Sequence, residues 1–214
     1  MDGGSVTQPP RKPGSQGSTD AMAELVSAAL DPVTFDGAPL DDDYLVRQAR
    51  RGSGHAFETL AARHQDRVFR LALRLTGDRT AAEDIAQEVL VAAWRGLPGF
   101  RGDASFTTWL YRITSNAAHT HWTRQRVHTR ITGDEPAATS EQPEQVTENK
   151  RQAAALHQAI AALPFDQRTA LVLYQFERLS YEQCADVLGV SVSTIRGRIA
   201  RARHALVETM RAWR

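Results

Sequence analysis

Residues 100–126, FRGDASFTTWLYRITSNAAHTHWTRQR, interleave Phe100, Phe106, Trp109, Tyr111 and Trp122 with Arg101, Arg112, Arg124 and Arg126. Unstacked bases meet aromatic faces and phosphates meet guanidinium groups, so this mixture suits single-stranded nucleic acid. Some of the rings belong to a core, because Phe106, Trp109, Leu110 and Ile113 form one stripe on a helix. A core stripe does not explain why no acidic residue occurs from Ala104 to Gly133.

A second basic stretch closes the chain: from Ser191 to Arg214 there are six arginines against one acid, Glu208. On a helix starting near Val192, the residues Ile195, Ile199, Ala202 and Leu206 share one face. The opposite face carries Ser193, Gly197, Ala200, Arg201 and His204, with Thr194, Arg196, Arg198 and Arg203 at its shoulders. Small outward residues let a helix sit deep in a major groove while arginines reach phosphates or guanine edges. Glycine inside a helix costs roughly 1 kcal/mol relative to alanine, and close approach to DNA is one reason to accept Gly197. Just upstream, Ser180 and Gln183 have capping-box spacing, Ala185 is small where two helices would cross, and Gly189 suits a tight turn of positive φ. Cys184, Leu188, Val190 and Ile195 fall where a helix-turn-helix needs inward apolar contacts. A plain helical hairpin with a basic surface is the blander alternative.

Acidic chemistry is concentrated elsewhere. On the helix expected over 81–95, Ile85, Val89 and Ala92 point one way, while Asp84, Gln87, Glu88 and Val91 lie together on another face. Such a stripe suits docking on a basic protein partner, and it equally suits a solvated face. Between the basic blocks, Ile131 to Lys150 carries Asp134, Glu135, Glu141, Glu144 and Glu148 against a single lysine. The formal net charge of +1 therefore hides two basic contacts separated by an acidic segment.

Little points to catalysis. One cysteine, Cys184, excludes an internal disulfide and a multi-thiolate metal site. His119 and His121 lie on different sides of a helix. A nucleic-acid hydrolase using Asp84, Glu88 and the histidines lacks a ligand constellation or nucleophile motif, so neither a metal nor a cofactor is expected. A free-standing helix-turn-helix repressor would need a dimerisation element, and none is evident. No apolar run is long enough to span a bilayer, and the first twenty residues lack a signal peptide's apolar stretch, so a cytoplasmic protein without membrane insertion is expected.

The elements that must position these groups are helices. Apolar residues recur at spacings of three and four, never alternating over a strand's length. Residues 1–40 begin with a Gly-, Pro- and Ser-rich stretch that reads as disordered, with a possible short helix over Ala21–Leu30. Tyr44, Leu45, Ala49, Ala56, Phe57 and Leu60 predict a helix or helix pair broken near Gly52 and Gly54. Val68, Leu71, Ala72 and Leu75 predict the next, ending at Gly77. Thr80 with Glu83 opens another that runs to about Arg95. After a break at Pro98, Gly99 and Gly102, a further helix covers about Ser105–Arg126. Downstream, helices are expected over Arg151–Leu163, Phe165–Phe176, Ser180–Leu188 and from Val192 to the end. The fold class is all-α: two small helical domains, 41–127 and 150–214, joined by a flexible acidic linker over 128–149.

The order of motifs, AEDIAQEVLVAAWRGLPGFRGDASFTTWLYRITSN followed by an acidic linker and LPFDQRTALVLYQFERLSYEQCADVLGVSVSTIRGRIARARHAL, resembles the extracytoplasmic-function group of bacterial RNA polymerase sigma factors over residues 41–211. The resemblance implies that 41–127 is sigma region 2 and 150–214 sigma region 4. It implies that Asp84, Gln87, Glu88 and Val91 bind the clamp helices of the polymerase β′ subunit. Phe100, Arg101, Asp103 and Ser105, with Arg112, Asn116, His119, Arg124 and Arg126, would capture a flipped base and the non-template strand of the −10 element. Ser193, Thr194, Arg196, Gly197, Arg198, Ala200 and Arg201 would read the duplex −35 element beside the β flap. It also implies control by an anti-sigma factor. Relatives often carry serine where Gly197 stands and a larger residue at Ala200, and the stretch AAHTHWT at 117–123 is less basic than in many of them. The N-terminal extension is longer than usual, with a second possible start at Met22.

Overall fold

A computed structural model of the chain describes residues 34–35, 38–39, 41–132 and 148–211. Thr34–Phe35 (β1) and Ala38–Pro39 (β2) pair antiparallel, Thr34 opposite Pro39 and Phe35 opposite Ala38, and are the only strands among the described residues. They belong to a first compact unit, Met1–Leu40, and the helices belong to a second, Asp41–Arg214. The disorder expected of 1–40 and the short helix over 21–30 fall outside the described residues.

Asp41 starts α1 (Asp42–Arg50) by accepting the Tyr44 N–H at 2.7 Å. Asp42 and Asp43 in the first turn, with Arg47 and Arg50 in the last, complement the helix dipole. Gly52 turns the chain at φ +96°, a conformation costly for any side chain, and α2 (Gly54–Thr76) comes next. The break near Gly52 and Gly54 is as expected. Helix α2 is one long element, not two, because Ala56, Leu60, His64, Val68, Leu71, Ala72 and Leu75 make one continuous buried stripe. It ends at Gly77, left-handed with its N–H on Leu73 O.

Helix α3 (Arg79–Gly96) is capped by Asp78, whose carboxylate accepts the Ala81 N–H at 2.9 Å. Thr80 lies inside the first turn instead of capping it, since a charged aspartate satisfies the same end more strongly. Ile85 and Val89 are buried as expected, but Ala93 completes their row and Ala92 is exposed. A 3₁₀ turn, Leu97–Gly99, leads to α4 (Phe106–Thr132). Residues 128–132, placed in the linker by sequence, continue this helix, because no glycine or proline interrupts the chain before Gly133. The rest of the expected acidic linker, 133–147, lies outside the described residues.

The C-terminal helices are α5 (Glu148–Ala162), α6 (Phe165–Gln175), α7 (Tyr181–Leu188) and α8 (Val192–Arg211). Two helical domains result. Leu60, Leu71, Leu75, Ile85, Leu97 and Leu110 fill the first core, and Leu173, Cys184, Val187, Ile195, Ile199 and Ala202 the second. Buried Arg168 of α6 joins the domains. Its guanidinium donates to Leu75 O at the end of α2 and to Ala161 O and Leu163 O where α5 runs out. Helix ends leave carbonyls without intrahelical partners, and charge-assisted bonds to them offset the desolvation of the buried cation. Burial still pulls its pKa below the ordinary arginine value. The two domains thus lie within one compact unit.

Candidate nucleic-acid interface

The helix-turn-helix is built by local rules. Ser180 Oγ accepts the Gln183 N–H at 3.2 Å and Gln183 Oε1 accepts the Ser180 N–H at 2.9 Å, closing the expected capping box. Gly189 ends α7 at φ +64°. Cys184, Ala185 and Val187 are buried, while Leu188 and Val190 are half-buried, so Val187 takes the inward place expected of Leu188. Cys184 is a core residue: it has no exposed surface, and burial pushes its thiol up to about 11.

Along α8, Ile195, Ile199 and Ala202 are buried and Leu206 is half-buried, as the spacing predicts. Ser193, Arg196, Ala200 and Arg201 are exposed on the other side, and Thr194, Gly197 and Arg198 are half-buried between. Ser191 Oγ accepts the Thr194 N–H at 3.2 Å and contacts the Ser193 and Thr194 hydroxyls at 2.9 and 2.8 Å, fixing the start of the helix. Arg198 is already engaged, its Nε 3.2 Å from Asp166 of α6. Tyr174 and Tyr181 stack at 4.7 Å, with Arg203 and Arg196 over their outer faces at 5.4 Å each. A Cβ at Gly197 would meet the Arg201 guanidinium at 3.4 Å, so glycine leaves room for Arg201 to lie along the helix.

The N-terminal candidates fall into separate clefts. Arg101, Asp103, Trp109 and Arg112 line one of about 390 Å³, rimmed by Asp186 of α7. Phe100 also lines this cleft; the residue is 9% exposed and its ring packs on Trp109 at 4.9 Å. Ser105 is exposed and also caps α4, its Oγ accepting the Thr108 N–H at 3.1 Å. Arg112 donates to Asp186 O at 2.6 Å. Asn116 and Arg124 are exposed on α4. His119, Trp122 and Arg126 line a second cleft of about 650 Å³. There the Phe165 ring of α6 lies 5.3 Å from His119 and 5.4 Å from Trp122, and the Arg126 guanidinium sits 4.7 Å over the indole.

A third cleft is one that sequence reasoning misses. Arg67, Arg70 and Arg74 of α2 line it with Tyr111 of α4 and Glu177 from the end of α6. Arg74 donates to Glu177 at 3.1 Å and the Tyr111 hydroxyl donates to the other carboxylate oxygen. Burial and that carboxylate hold the Tyr111 phenol protonated well above its ordinary range. Spacings of three and four put the arginines on one helical face, a signal that is present in the sequence.

On α3, Asp84, Gln87, Glu88 and Val91 are exposed together, and Val91 is 49% exposed. Trp94, three residues on and 41% exposed, extends this stripe; its ring lies 5.0 Å from Phe57. Among the described residues, no group of three or more His, Cys, Asp or Glu could hold a metal ion, and no helix is long and apolar enough to cross a membrane.

Comparison with known proteins gives one result throughout. The Sigma-70 region 2 family matches residues 60–127, and the Sigma-70, region 4 family matches residues 153–206. The chain is 40% identical over 176 residues to the RNA polymerase sigma-H factor of Pseudomonas aeruginosa, covering 77% of this chain and 91% of that one. It is 34% identical over 181 residues to the ECF RNA polymerase sigma-E factor of Escherichia coli K12, covering 78% of this chain and 93% of that one. A solved structure of CnrH in complex with the cytosolic domain of CnrY superposes with a TM-score of 0.62 at 30% identity, covering 80% of this chain and 99% of that one.

Proposed function

The chain belongs to the extracytoplasmic-function group of the sigma-70 family of RNA polymerase sigma factors, and on that premise we propose how its surfaces divide the work of transcription initiation. It binds core RNA polymerase, recognises the −35 and −10 promoter elements and promotes strand opening. The acidic stripe Asp84, Gln87, Glu88 and Val91 docks on the β′ clamp helices, with Trp94 as an apolar anchor at its end. The outward side of α8 enters the major groove of the −35 element: Arg196 and Arg201 reach phosphates or guanine edges, and Ser193, Gly197 and Ala200 allow close approach. Region 4 packs beside the β flap.

In the N-terminal domain, Arg101, Asp103 and Arg112 surround the cleft that takes a flipped −10 base. Asn116, His119, Trp122, Arg124 and Arg126 carry the single strand onward. Extruding a base costs a few kcal/mol, which stacking and guanidinium contacts in the cleft offset. The chain contributes binding energy and no reacting group; RNA synthesis belongs to the polymerase, in the cytoplasm, and an anti-sigma protein is the expected inhibitor. The observation that carries the reading is α8, exposed at Ser193, Arg196, Ala200 and Arg201 and buried at Ile195, Ile199 and Ala202.

The test is to mix the purified protein with core RNA polymerase and genomic DNA fragments and map run-off transcripts. Discrete starts that share two upstream elements and vanish without the protein are expected. Specific DNA binding by the protein alone, with no new start, would favour a free-standing repressor instead.

A further inference from the structure

Three contacts between the domains fall on one side of the N-terminal domain. Arg112 is bonded to Asp186 O, the His119 and Trp122 rings meet Phe165, and the Arg67, Arg70 and Arg74 cleft holds Glu177. The first two touch residues already given to the −10 strand. The third has no assigned role. Its three arginines rise over two turns of α2, about 10 Å along the helix. Arg67 and Arg70 are exposed and make no ion pair among the described residues, whereas Arg74 and Tyr111 each take one oxygen of Glu177. The Glu177 side chain is only 8% exposed. A carboxylate held at both oxygens by a guanidinium and a phenol presents the donors with what two phosphate oxygens would present. With Arg178 also on its lining, one negative charge against four positive ones leaves the cleft short of anions. Arg178, the residue after Glu177, has φ +57°, the one positive value among described residues other than glycine, and the Leu179 N–H to Leu173 O bond at 3.2 Å marks it as part of the turn that ends α6.

We propose that Arg67, Arg70 and Arg74 form a phosphate-binding row for single-stranded nucleic acid, and that Glu177 occupies it in the compact form as an internal stand-in. The inference rests on the reading that the N-terminal domain holds the −10 strand, and it adds a site and a step. Glu177 must leave before the strand can follow α2, so the compact form covers the strand-capturing face while the α8 face stays open.

The test uses the full chain and a fluorescein-labelled single-stranded DNA 12-mer of mixed sequence, with binding read by anisotropy. Glu177→Gln keeps the side chain's size and removes its charge. If the cleft is masked most of the time, apparent affinity is reduced by the unmasked fraction, so the variant gains about tenfold. Adding Arg67→Gln and Arg70→Gln removes that gain. It also flattens the plot of log affinity against log salt by about 1.4, at about 0.7 for each phosphate left without its arginine on a single strand. Glu177→Asp, whose shorter chain draws the carboxylate away from Arg74, gives a smaller gain and serves if Glu177→Gln melts early by circular dichroism. No gain in either folded variant, or a gain that survives removal of Arg67 and Arg70, overturns the proposal. Run-off transcription separates the two readings. Starts with core polymerase but no Glu177 effect sink the masking alone, whereas a Glu177 effect without starts sinks the promoter reading alone.

Discussion

The two faces proposed to meet nucleic acid are made in different ways. The α8 face is one helix whose inward row, Ile195, Ile199 and Ala202, fixes its outward row by geometry alone, and it stands open. The N-terminal face draws on α2, the loop at 100–105 and α4, and the other domain sits on it through Asp186, Phe165 and Glu177. A duplex presents a regular groove that a preformed helix can meet. A single strand has to be unstacked and held, and a surface gathered from several segments can be covered until the moment of use.

The joint between the domains is where the contrast is most vulnerable. Arg168→Met leaves Leu75, Ala161 and Leu163 carbonyls buried without their donor, at about 1–3 kcal/mol for such a loss, and total destabilisation near the upper figure is expected in urea unfolding. An unchanged midpoint would mean that the domains hold together without it. Next comes the open face: Arg196→Glu with Arg201→Glu should weaken duplex −35 binding by the holoenzyme about 100-fold, at about 1–3 kcal/mol per specific arginine contact. Anisotropy should show the 12-mer still bound by the free protein; equal loss of both would erase the distinction between the faces. Asn116→Ala should reveal the same division from the other side, slowing permanganate-detected strand opening about tenfold, the equivalent of about 1.4 kcal/mol, while sparing −35 protection. The smallest effect belongs to Ser180→Ala. Loss of the capping box should cost about 1 kcal/mol, seen as a lower thermal midpoint and faster amide exchange in α7.

Legibility in the sequence follows the same division. Helix α7, its capping box, the Gly189 turn and the buried row of α8 are all readable, because each depends on residues within one or two turns of one another. Errors of detail arise where two local signals compete, as when Asp78 displaces Thr80 as the cap of α3. Phe100 and Ser105, expected at the −10 contact, also serve the fold, one packing on Trp109 and the other capping α4, a second role their residue types do not announce. The Arg67, Arg70 and Arg74 row escapes notice because its partner, Glu177, lies far away in the chain, the Arg74–Glu177 separation being 103 residues. Arg168 is invisible for the same reason: nothing in LPFDQRTAL says that its guanidinium will cross to the end of α2.

The thiol of Cys184 has a practical meaning. It is the one sulfhydryl in the sequence, it has no exposed surface, and burial lifts its pKa to about 11, which disfavours the thiolate that would attack a dye. The folded chain is therefore chemically silent toward maleimides at neutral pH. Cysteines added at two surface positions, one on each domain, would carry a donor and an acceptor without a cysteine-free background having to be built first. The native sequence thereby supplies its own dark field, against which the opening of the two domains can be watched one molecule at a time.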